Sequence, residues 1–241
     1  QKICNSHNIK LIQDAAHGFG STIKDRSIVH YADYTCFSFQ AIKHLTTGDG
    51  GAIICKNKSD LEKAEKLKWF GLDRHATKDE KGDWKGQRWE ADIYQAGYKF
   101  NMNNISAAIG LASINHIDSI IEKHRNNAKI YSKIFKKDSR INPLLFIENH
   151  NPSFWVYTVI LEESIDRDSV IERLNKKGIG AGLVHVPNHN YTCFSESYVD
   201  NLKDVDYFFN HQISLPCGWW IKDREIESIA ETLGKILDED K

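Results

Sequence analysis

The sequence has no Cys-x-x-Cys pair, no long hydrophobic run and no excess of charge of one sign. Its five cysteines are odd in number and lie far apart, which argues against a disulfide framework or a zinc site. They predict reduced thiols and a cytoplasmic location. Apolar runs such as Gly51–Cys55 are far too short to span a membrane, so no membrane partner is expected.

Acidic and basic residues are almost balanced. The chain has 32 Lys and Arg residues against 33 Asp and Glu residues, which gives a formal net charge of -1. A nucleic-acid-binding surface normally needs a basic excess, so no nucleic-acid partner is expected. The 41% hydrophobic and 27% charged residues are ordinary for a globular protein and exclude a disordered chain.

Short apolar runs separated by polar turns predict an α/β arrangement in the first part of the chain. Strands are predicted at residues 10–14, 34–39 and 51–55. The spacing of Ser59 and Glu62 is typical of a capping box and predicts a helix from Ser59 to Lys68. Residues 71–92 show no clear period and predict a long surface loop.

The second half of the chain is predicted to be rich in helices. Apolar residues recur every three or four positions from Asn103 to Phe135, which indicates one long helix or two helices joined near His124–Asn127. A smaller α+β unit follows, with strands at 154–161 and 182–186 and helices at 166–177 and 225–237. We therefore expect one domain over residues 1–144 and a second over residues 145–241.

Lys43 lies alone between two predicted strands and is followed by the glycine-rich turn Gly48–Gly51. A lysine becomes a nucleophile towards an aldehyde when its surroundings lower its pKa, and a loop between core strands can provide such a pocket. Taken alone, Lys43 fits a solvated loop lysine better, because most lysines are exposed.

Asp14 ends the first predicted strand, and His17 follows three residues later. An acidic side chain at a strand end can pair with a buried cation, including a protonated pyridine nitrogen, and the small Ala15 and Ala16 would admit a flat ring. Taken separately, Asp14 also fits a turn residue and His17 fits a core histidine.

Together the two stretches resemble the large-domain core of the DegT/DnrJ/EryC1/StrS family, which comprises sugar aminotransferases of the pyridoxal-phosphate fold type I group. The matching elements stand in the family's order and spacing: Asp14-Ala15-Ala16-His17, Ser38-Phe39, Lys43-His44-Leu45 and Gly48-Asp49-Gly50-Gly51. The resemblance continues through residues 97–110 and reaches Ser214-Leu215-Pro216, so that it covers essentially the whole chain.

The resemblance implies a role for each matching residue. Lys43 would hold pyridoxal phosphate as a Schiff base and act as the catalytic acid and base. Asp14 would pair with the pyridine nitrogen, and His17 would bind the ring hydroxyl. Ser38 would donate to the cofactor phosphate. Asn101 would reach the phosphate of a neighbouring subunit, which implies a homodimer with shared active sites.

The resemblance also implies a fold and a reaction. The large domain would be α/β with a mostly parallel sheet, followed by a small C-terminal α+β domain. The reaction would be amino transfer from an amino acid, with glutamate as the expected donor, to the keto group of a nucleotide-linked keto-deoxysugar. Such products feed polysaccharide or antibiotic pathways. Related dehydratases carry His at the lysine position, so Lys43 favours transamination.

Three further expectations complete the prediction. His185 and His189 are spaced by four residues, but Pro187 argues against a helix there, so no metal site is expected and His185 is a candidate substrate contact.

The chain starts close to a strand and lacks the family's N-terminal segment, so we expect it to be part of a longer protein. The alternatives are a different pyridoxal-phosphate reaction and a non-catalytic dimerising or interaction fragment.

Overall fold

The computed structural model describes residues 1–74, 80–81, 83, 92–196 and 201–239. Most of the predicted loop at 71–92 therefore lies outside the described residues. The chain divides into two compact units, an N-terminal unit Gln1–Ile117 and a C-terminal unit Asp118–Lys241. The domains predicted at 1–144 and 145–241 remain a prediction, since the compact units divide earlier in the chain.

The N-terminal unit is built around a three-stranded sheet in the order β1, β4, β5. Strand β1 (Ile12–Asp14) pairs in parallel with β4 (Tyr34–Ser38), which pairs antiparallel with β5 (Gly51–Cys55). The predicted strands are confirmed, with β1 two residues shorter and β4 one residue shorter than expected. A mostly parallel sheet stays a prediction, because one of these two pairings is antiparallel.

The N-terminal unit also contains the short strands β2 (Thr22–Ile23) and β3 (Arg26–Ser27) and the helices α1 (Lys2–Ser6), α2 (Lys58–Leu67) and α3 (Asn104–Ser113). Helix α2 begins one residue before the predicted Ser59, and its N-cap is Asn57. The prediction of Ser59 as the cap was therefore wrong, because Asn57 already has the extended backbone of a cap.

The long helical stretch is interrupted earlier than predicted. Helix α3 gives way to a 3-10 segment, Ile114–His116, after which α4 runs unbroken from Ile117 to Phe135. The predicted junction near His124–Asn127 was wrong. His124 Nδ1 lies 2.8 Å from the Phe154 carbonyl oxygen, and Asn127 Nδ2 donates to the Gly218 carbonyl at 2.9 Å, so both polar side chains have partners inside a continuous helix.

The C-terminal unit contains an antiparallel sheet in the order β6, β8, β9. Its elements are β6 (Ile141–Pro143), β7 (His150–Asn151), β8 (Tyr157–Leu161), α5 (Arg167–Lys176), α6 (Lys203–His211), β9 (Gln212–Leu215) and α7 (Asp223–Glu239). The predicted strand at 182–186 was wrong. Of residues 182–186, only Gly182 pairs with another strand, through an isolated bridge to Ser214.

One core joins the sheet of the C-terminal unit to its helices. The apolar residues of α7 recur at the helical period and are buried: Ile226, Ile229, Ala230, Leu233, Ile236 and Leu237. They pack with β8 and β9 and with Tyr131 and Phe135 of α4. The later turns of α4 thus belong to this core, which explains why the compact units divide at Ile117.

Replacing Asp166 by alanine is expected to destabilise the C-terminal unit by about 1 kcal/mol. Asp166 caps α5, since its Oδ1 accepts from the amides of Asp168 at 3.1 Å and Ser169 at 3.2 Å. The free energy of unfolding in denaturant measures the loss. Asp166→Asn keeps the cap acceptor and should be close to wild type. Equal stability of Asp166→Ala and wild type would contradict this account of the cap.

Candidate active site

Asp14 lies at the carboxyl end of β1, where it serves as a turn residue. The parallel register sets it beside Cys36 of β4, and its Oδ1 accepts from the Ala16 amide at 3.0 Å. The amide of the buried Ala15 donates to the Cys36 carbonyl at 2.8 Å, so the start of this turn is tied to β4. The carboxylate is exposed at the end of the strand.

Ser38 ends the neighbouring strand β4 at the same edge of the sheet. It pairs with Gly51 of β5, and its Oγ accepts from the Gln40 amide at 3.3 Å. Because β1 and β4 are parallel, their carboxyl ends, and hence Asp14 and Ser38, meet at one edge. This is the edge at which open α/β sheets bind ligands.

Lys43 is held in a closed loop, defined here as residues 39–50 and called the lysine loop. The Phe39 amide donates to the Gly50 carbonyl at 2.8 Å, and the Thr47 amide donates to the Phe39 carbonyl at 2.8 Å. The Lys43 amide donates to the Gln40 carbonyl at 2.9 Å, which forms a tight turn just before the lysine side chain. The loop therefore places Lys43 next to the edge that carries Asp14 and Ser38.

Burial and the charge of Asp14 shift the pKa of Lys43 in opposite directions. Partial burial lowers the pKa of the Lys43 amine below its ordinary value, because the charged form loses hydration. The nearby Asp14 carboxylate raises the same pKa, and burial is the larger of the two causes. The net effect favours a neutral amine, which is the nucleophilic form.

We expect Lys43 to react with an acylating reagent at lower pH than an exposed lysine does. As pH rises, the amine with the lower pKa loses its proton first and becomes reactive first. Lys58, whose side chain is 89% exposed, is the reference within the same chain. Peptide mass spectrometry across a pH series measures both midpoints, and a Lys43 midpoint at or above that of Lys58 would contradict the assignment.

His17 lies in the turn that follows β1 and is partly buried. The turn is fixed by a bond from the Gly18 amide to the Ala15 carbonyl at 2.9 Å. The ring of Phe19 packs edge-on against Phe37 at 5.2 Å and Phe39 at 6.0 Å between centroids. His17 is thereby held in the turn between Asp14 and a ring that contacts β4.

Asn101 precedes α3 and belongs to the same unit as Lys43. Its Oδ1 accepts from Lys99 Nζ at 2.9 Å, and its Nδ2 donates to the Met102 carbonyl at 3.3 Å. A Cβ atom built on Gly50 would lie 2.9 Å from Met102 Cε, so the segment that carries Asn101 runs against the end of the lysine loop. A role of Asn101 towards a second subunit stays a prediction.

His185 belongs to the C-terminal unit, three residues after the bridge between Gly182 and Ser214. Its side chain is exposed. His189 Nε2 lies 3.1 Å from Asp206 Oδ1, a contact with α6 that the sequence analysis did not anticipate. The structure thus brings Asp14, His17, Ser38, Lys43 and Asn101 together in one unit, whereas His185 lies in the other.

We searched the described residues for metal-binding groups and for membrane-spanning helices. Among them, no group of three or more His, Cys, Asp or Glu side chains is arranged to hold a metal ion. None of the helices over these ranges is long and apolar enough to cross a membrane. The predicted cytoplasmic location stays a prediction.

Thr46 and Thr47 both support the lysine loop, although no role was predicted for them from the sequence. Thr46 Oγ1 accepts from the Gly48 amide at 3.0 Å, and Thr47 Oγ1 donates to the Asp49 carbonyl at 2.7 Å. The available signal was the pair of hydroxyl side chains directly before the glycine-rich turn, since Ser and Thr often bond to nearby backbone.

The fold and the site together define a class: an α/β protein in which a lysine amine and a carboxylate converge at the carboxyl edge of the sheet. The chain belongs to the DegT/DnrJ/EryC1/StrS aminotransferase family, whose profile matches residues 1–234. The family resemblance predicted from the sequence is therefore confirmed. Pyridoxal phosphate is the cofactor of this family.

Curated relatives of the chain include transaminases that act on nucleotide sugars. The UDP-4-amino-4,6-dideoxy-N-acetyl-beta-L-altrosamine transaminase of Campylobacter jejuni is 25% identical over 99% of this chain and 61% of its own length. The Helicobacter pylori protein of that name is 27% identical, again over 99% and 61%. The GDP-perosamine synthase of Escherichia coli O157:H7 is 28% identical over 90% of this chain and 53% of its own length.

Solved structures show the same likeness. PseC from Helicobacter pylori, an aminotransferase involved in the biosynthesis of pseudoaminic acid, matches with a TM-score of 0.88 and 25% identity, over 99% of this chain and 62% of that one. The pyridoxal-phosphate form of Spr1654 from Streptococcus pneumoniae matches with a TM-score of 0.84 and 28% identity, over 99% and 60%. The chain thus spans about three fifths of the length of the two altrosamine transaminases named above.

The donor set of the site fits the cofactor of the family. A pyridine nitrogen that carries a proton needs a carboxylate, and an aldehyde carbon needs a neutral amine. Asp14 has a carboxylate, and Lys43 has an amine whose pKa is lowered by burial. The Asp14 carboxylate is near enough to act on the pKa of that amine.

Proposed function

We propose that this chain is the part of a pyridoxal-phosphate-dependent sugar aminotransferase that carries the reactive lysine. The whole protein would transfer an amino group from an amino acid, with glutamate as the donor, to the keto group of a nucleotide-linked deoxysugar. The observation that carries the proposal is the convergence of Lys43 and Asp14 at the carboxyl edge of β1 and β4.

Lys43 is the catalytic residue of the proposal. Pyridoxal phosphate, when bound, supplies an aldehyde for covalent attachment and an electron-accepting ring. Because burial lowers its pKa, the Lys43 amine loses its proton more readily, which favours bond formation at Nζ and, once the amine is displaced, its use as general base and acid. A fully exposed lysine would lack this effect of burial on its pKa.

Asp14 holds the negative charge that the ring nitrogen needs. Its Oδ1 accepts from the Ala16 amide at 3.0 Å, so the carboxylate is fixed to the backbone of its own turn before any ligand arrives. A group fixed in advance stabilises developing charge without reorganisation. In this proposal Asp14 keeps the ring nitrogen protonated, and His17, in the same turn, donates to or accepts from the ring hydroxyl.

Ser38 and Asn101 are assigned to the phosphate of the cofactor. The Ser38 hydroxyl accepts from the Gln40 amide at 3.3 Å, and its own proton can be donated to an anion. Asn101 Nδ2 is a donor on the segment before α3 and would serve the phosphate of a partner subunit in a homodimer. Both residues would orient the cofactor, and neither takes part in proton transfer.

The proposed substrate class rests on the relatives. Their names include both UDP-linked and GDP-linked amino sugars, so a nucleotide-linked amino sugar is common to them while the nucleotide varies. We assign a UDP-linked 4-keto-6-deoxysugar as the first candidate, since two of these relatives are named for a UDP-linked 4-amino-4,6-dideoxy sugar, whose 4-amino group would replace a 4-keto oxygen. His185 is proposed as a substrate contact.

Amino transfer from glutamate to UDP-linked and GDP-linked 4-keto-6-deoxysugars tests the function. Mass spectrometry of the sugar product, with nitrogen-labelled glutamate, follows the amino group directly. We expect label in the sugar only when protein, cofactor and glutamate are all present. Transfer of label to a keto acid but to no nucleotide sugar would indicate a different pyridoxal-phosphate reaction, and the absence of any transfer would favour a non-catalytic fragment.

A further inference from the structure

Thr47 lies where the two ends of the lysine loop meet. The residue is only 3% exposed. Its Oγ1 donates to the Asp49 carbonyl at 2.7 Å and lies 3.5 Å from the Phe39 carbonyl oxygen. Its amide donates to the same Phe39 carbonyl at 2.8 Å. The hydroxyl and the amide of one residue therefore tie the beginning of the loop to its end.

The methyl group of Thr47 faces a glycine in α3. A Cβ atom built on Gly110 would lie only 2.8 Å from Thr47 Cγ2. This separation is too short for two carbon atoms, so an alanine at position 110 would push the threonine side chain aside. The methyl group thus sets the lysine loop directly against the backbone of α3.

A second glycine packs against the hydroxyl side of Thr47. Gly50 has a φ of 145°, which a residue with a side chain rarely adopts. A Cβ atom there would lie 2.7 Å from Thr47 Oγ1 and 2.9 Å from Met102 Cε. Thr47 and Gly50 therefore lie where the lysine loop meets α3 and the chain that enters it.

We propose that Thr47 is a positioning residue for Lys43, an inference that rests on the proposed function of that lysine. The lysine side chain is a flexible stem of four carbons, so the place of its amine depends on the loop backbone that carries it. Thr47 lies four residues after Lys43 and fixes that backbone through its hydroxyl on one side and its methyl on the other. It acts on the reaction only through Lys43.

The first test uses hydrogen exchange in protein without cofactor. Thr47→Val keeps the shape and removes the hydroxyl, which leaves the Asp49 carbonyl without its donor. We expect the amides of Phe39 and Thr47, which close the loop, to exchange at least about tenfold faster in Thr47→Val. Thr47→Ser restores the hydroxyl and should return exchange towards the wild-type rate.

The matched control is Thr232→Val in α7 of the C-terminal unit. Thr232 Oγ1 also donates to a backbone carbonyl, that of Ser228, at 2.7 Å. Exchange of residues 39–50 should be unchanged in this variant. Unchanged exchange in Thr47→Val itself would overturn the proposal.

The second test measures the acylation midpoint of Lys43 and the rate at which Lys43 takes the cofactor. Because burial is the larger cause of the lowered pKa of Lys43, an opened loop should hydrate the amine and move its acylation midpoint to higher pH in Thr47→Val. Covalent attachment of pyridoxal phosphate to Lys43 should slow by about tenfold to a hundredfold, as expected for a misplaced reacting group. A purely structural threonine would lower stability and leave the acylation midpoint where it is.

A double-mutant cycle tests the contact with α3. Gly110→Ala should slow attachment to Lys43 in the wild-type background, where the new Cβ meets Thr47 Cγ2. In the Thr47→Ser background that methyl is missing, so Gly110→Ala should have a much smaller effect. An equal effect in both backgrounds would show that the contact between Thr47 and Gly110 does not influence the attachment rate at Lys43. This result would overturn the part of the inference that concerns α3.

The outcomes separate this inference from the proposed function. If wild-type protein takes the cofactor at Lys43 and the Thr47 variants attach it at the same rate, the positioning role is wrong and the function stands. If wild-type protein takes no cofactor at Lys43, the proposed function fails. Hydrogen exchange and acylation need no cofactor, and they then decide whether Thr47 places the Lys43 amine.

Discussion

Replacing Lys43 by alanine is expected to reduce amino transfer by at least about a thousandfold. A positioned general acid and base contributes roughly 10² to 10⁴ in rate, and loss of covalent attachment adds to that. The structure gives the reason for choosing this lysine, because burial lowers its pKa and Asp14 lies close enough to act on it. Single-turnover transfer from glutamate to the nucleotide sugar measures the loss.

Two further variants serve as controls for Lys43→Ala. Lys43→Arg keeps the positive charge but cannot provide a neutral amine, so it should be as inactive as the alanine variant. Lys58→Ala removes a lysine whose side chain is 89% exposed and pairs with Glu62 one helical turn away, and it should retain full activity. Transfer within tenfold of wild type in Lys43→Ala would remove Lys43 from the chemistry.

Replacing Asp14 by asparagine is expected to reduce amino transfer by about a hundredfold to a thousandfold. This is the usual cost of removing one fixed group that stabilises charge in an active site. Asparagine keeps a side-chain oxygen that can accept the Ala16 amide, so the turn after β1 should persist. The charge that we propose to lie opposite the pyridine nitrogen would be lost, while the turn would be retained.

The same variant changes the titration of Lys43 in a defined direction. Asp14 raises the pKa of the Lys43 amine, so Asp14→Asn should lower that pKa further and move its acylation midpoint to lower pH. The control is Asp25→Asn, a turn residue of the same unit with a φ of 59° that asparagine tolerates. An Asp14→Asn variant with unchanged transfer and an unchanged midpoint would separate Asp14 from the site.

The elements with strong local signals could be predicted from the sequence. Strand β5 has the predicted bounds, and α5 begins directly after Asp166, the first residue of the helix predicted there, whose side chain caps it. The wrongly placed junction near His124 has a physical cause. The sequence shows polar residues in a helix, but it does not show that distant carbonyls of Phe154 and Gly218 accept their hydrogen bonds.

The candidate site was only partly visible in the sequence. Asp14 and Lys43 each had an ordinary interpretation as a turn residue and a loop lysine, and only the family resemblance joined them. The physical link is the parallel pairing of β1 with β4, which no local pattern encodes. Thr47 was missed because its importance depends on Gly110, a residue far away in the chain that the fold brings against its methyl group.

Reductive trapping of the cofactor tests directly whether Lys43 is the residue that holds it. The full chain is mixed with pyridoxal phosphate, its visible spectrum is recorded, the complex is reduced with borohydride, and the modified peptide is mapped by mass spectrometry. We expect a visible absorbance band before reduction and, after reduction, a single stable adduct on Lys43. No band, or label spread over exposed lysines such as Lys58, would contradict the assignment of Lys43 as the residue that holds the cofactor.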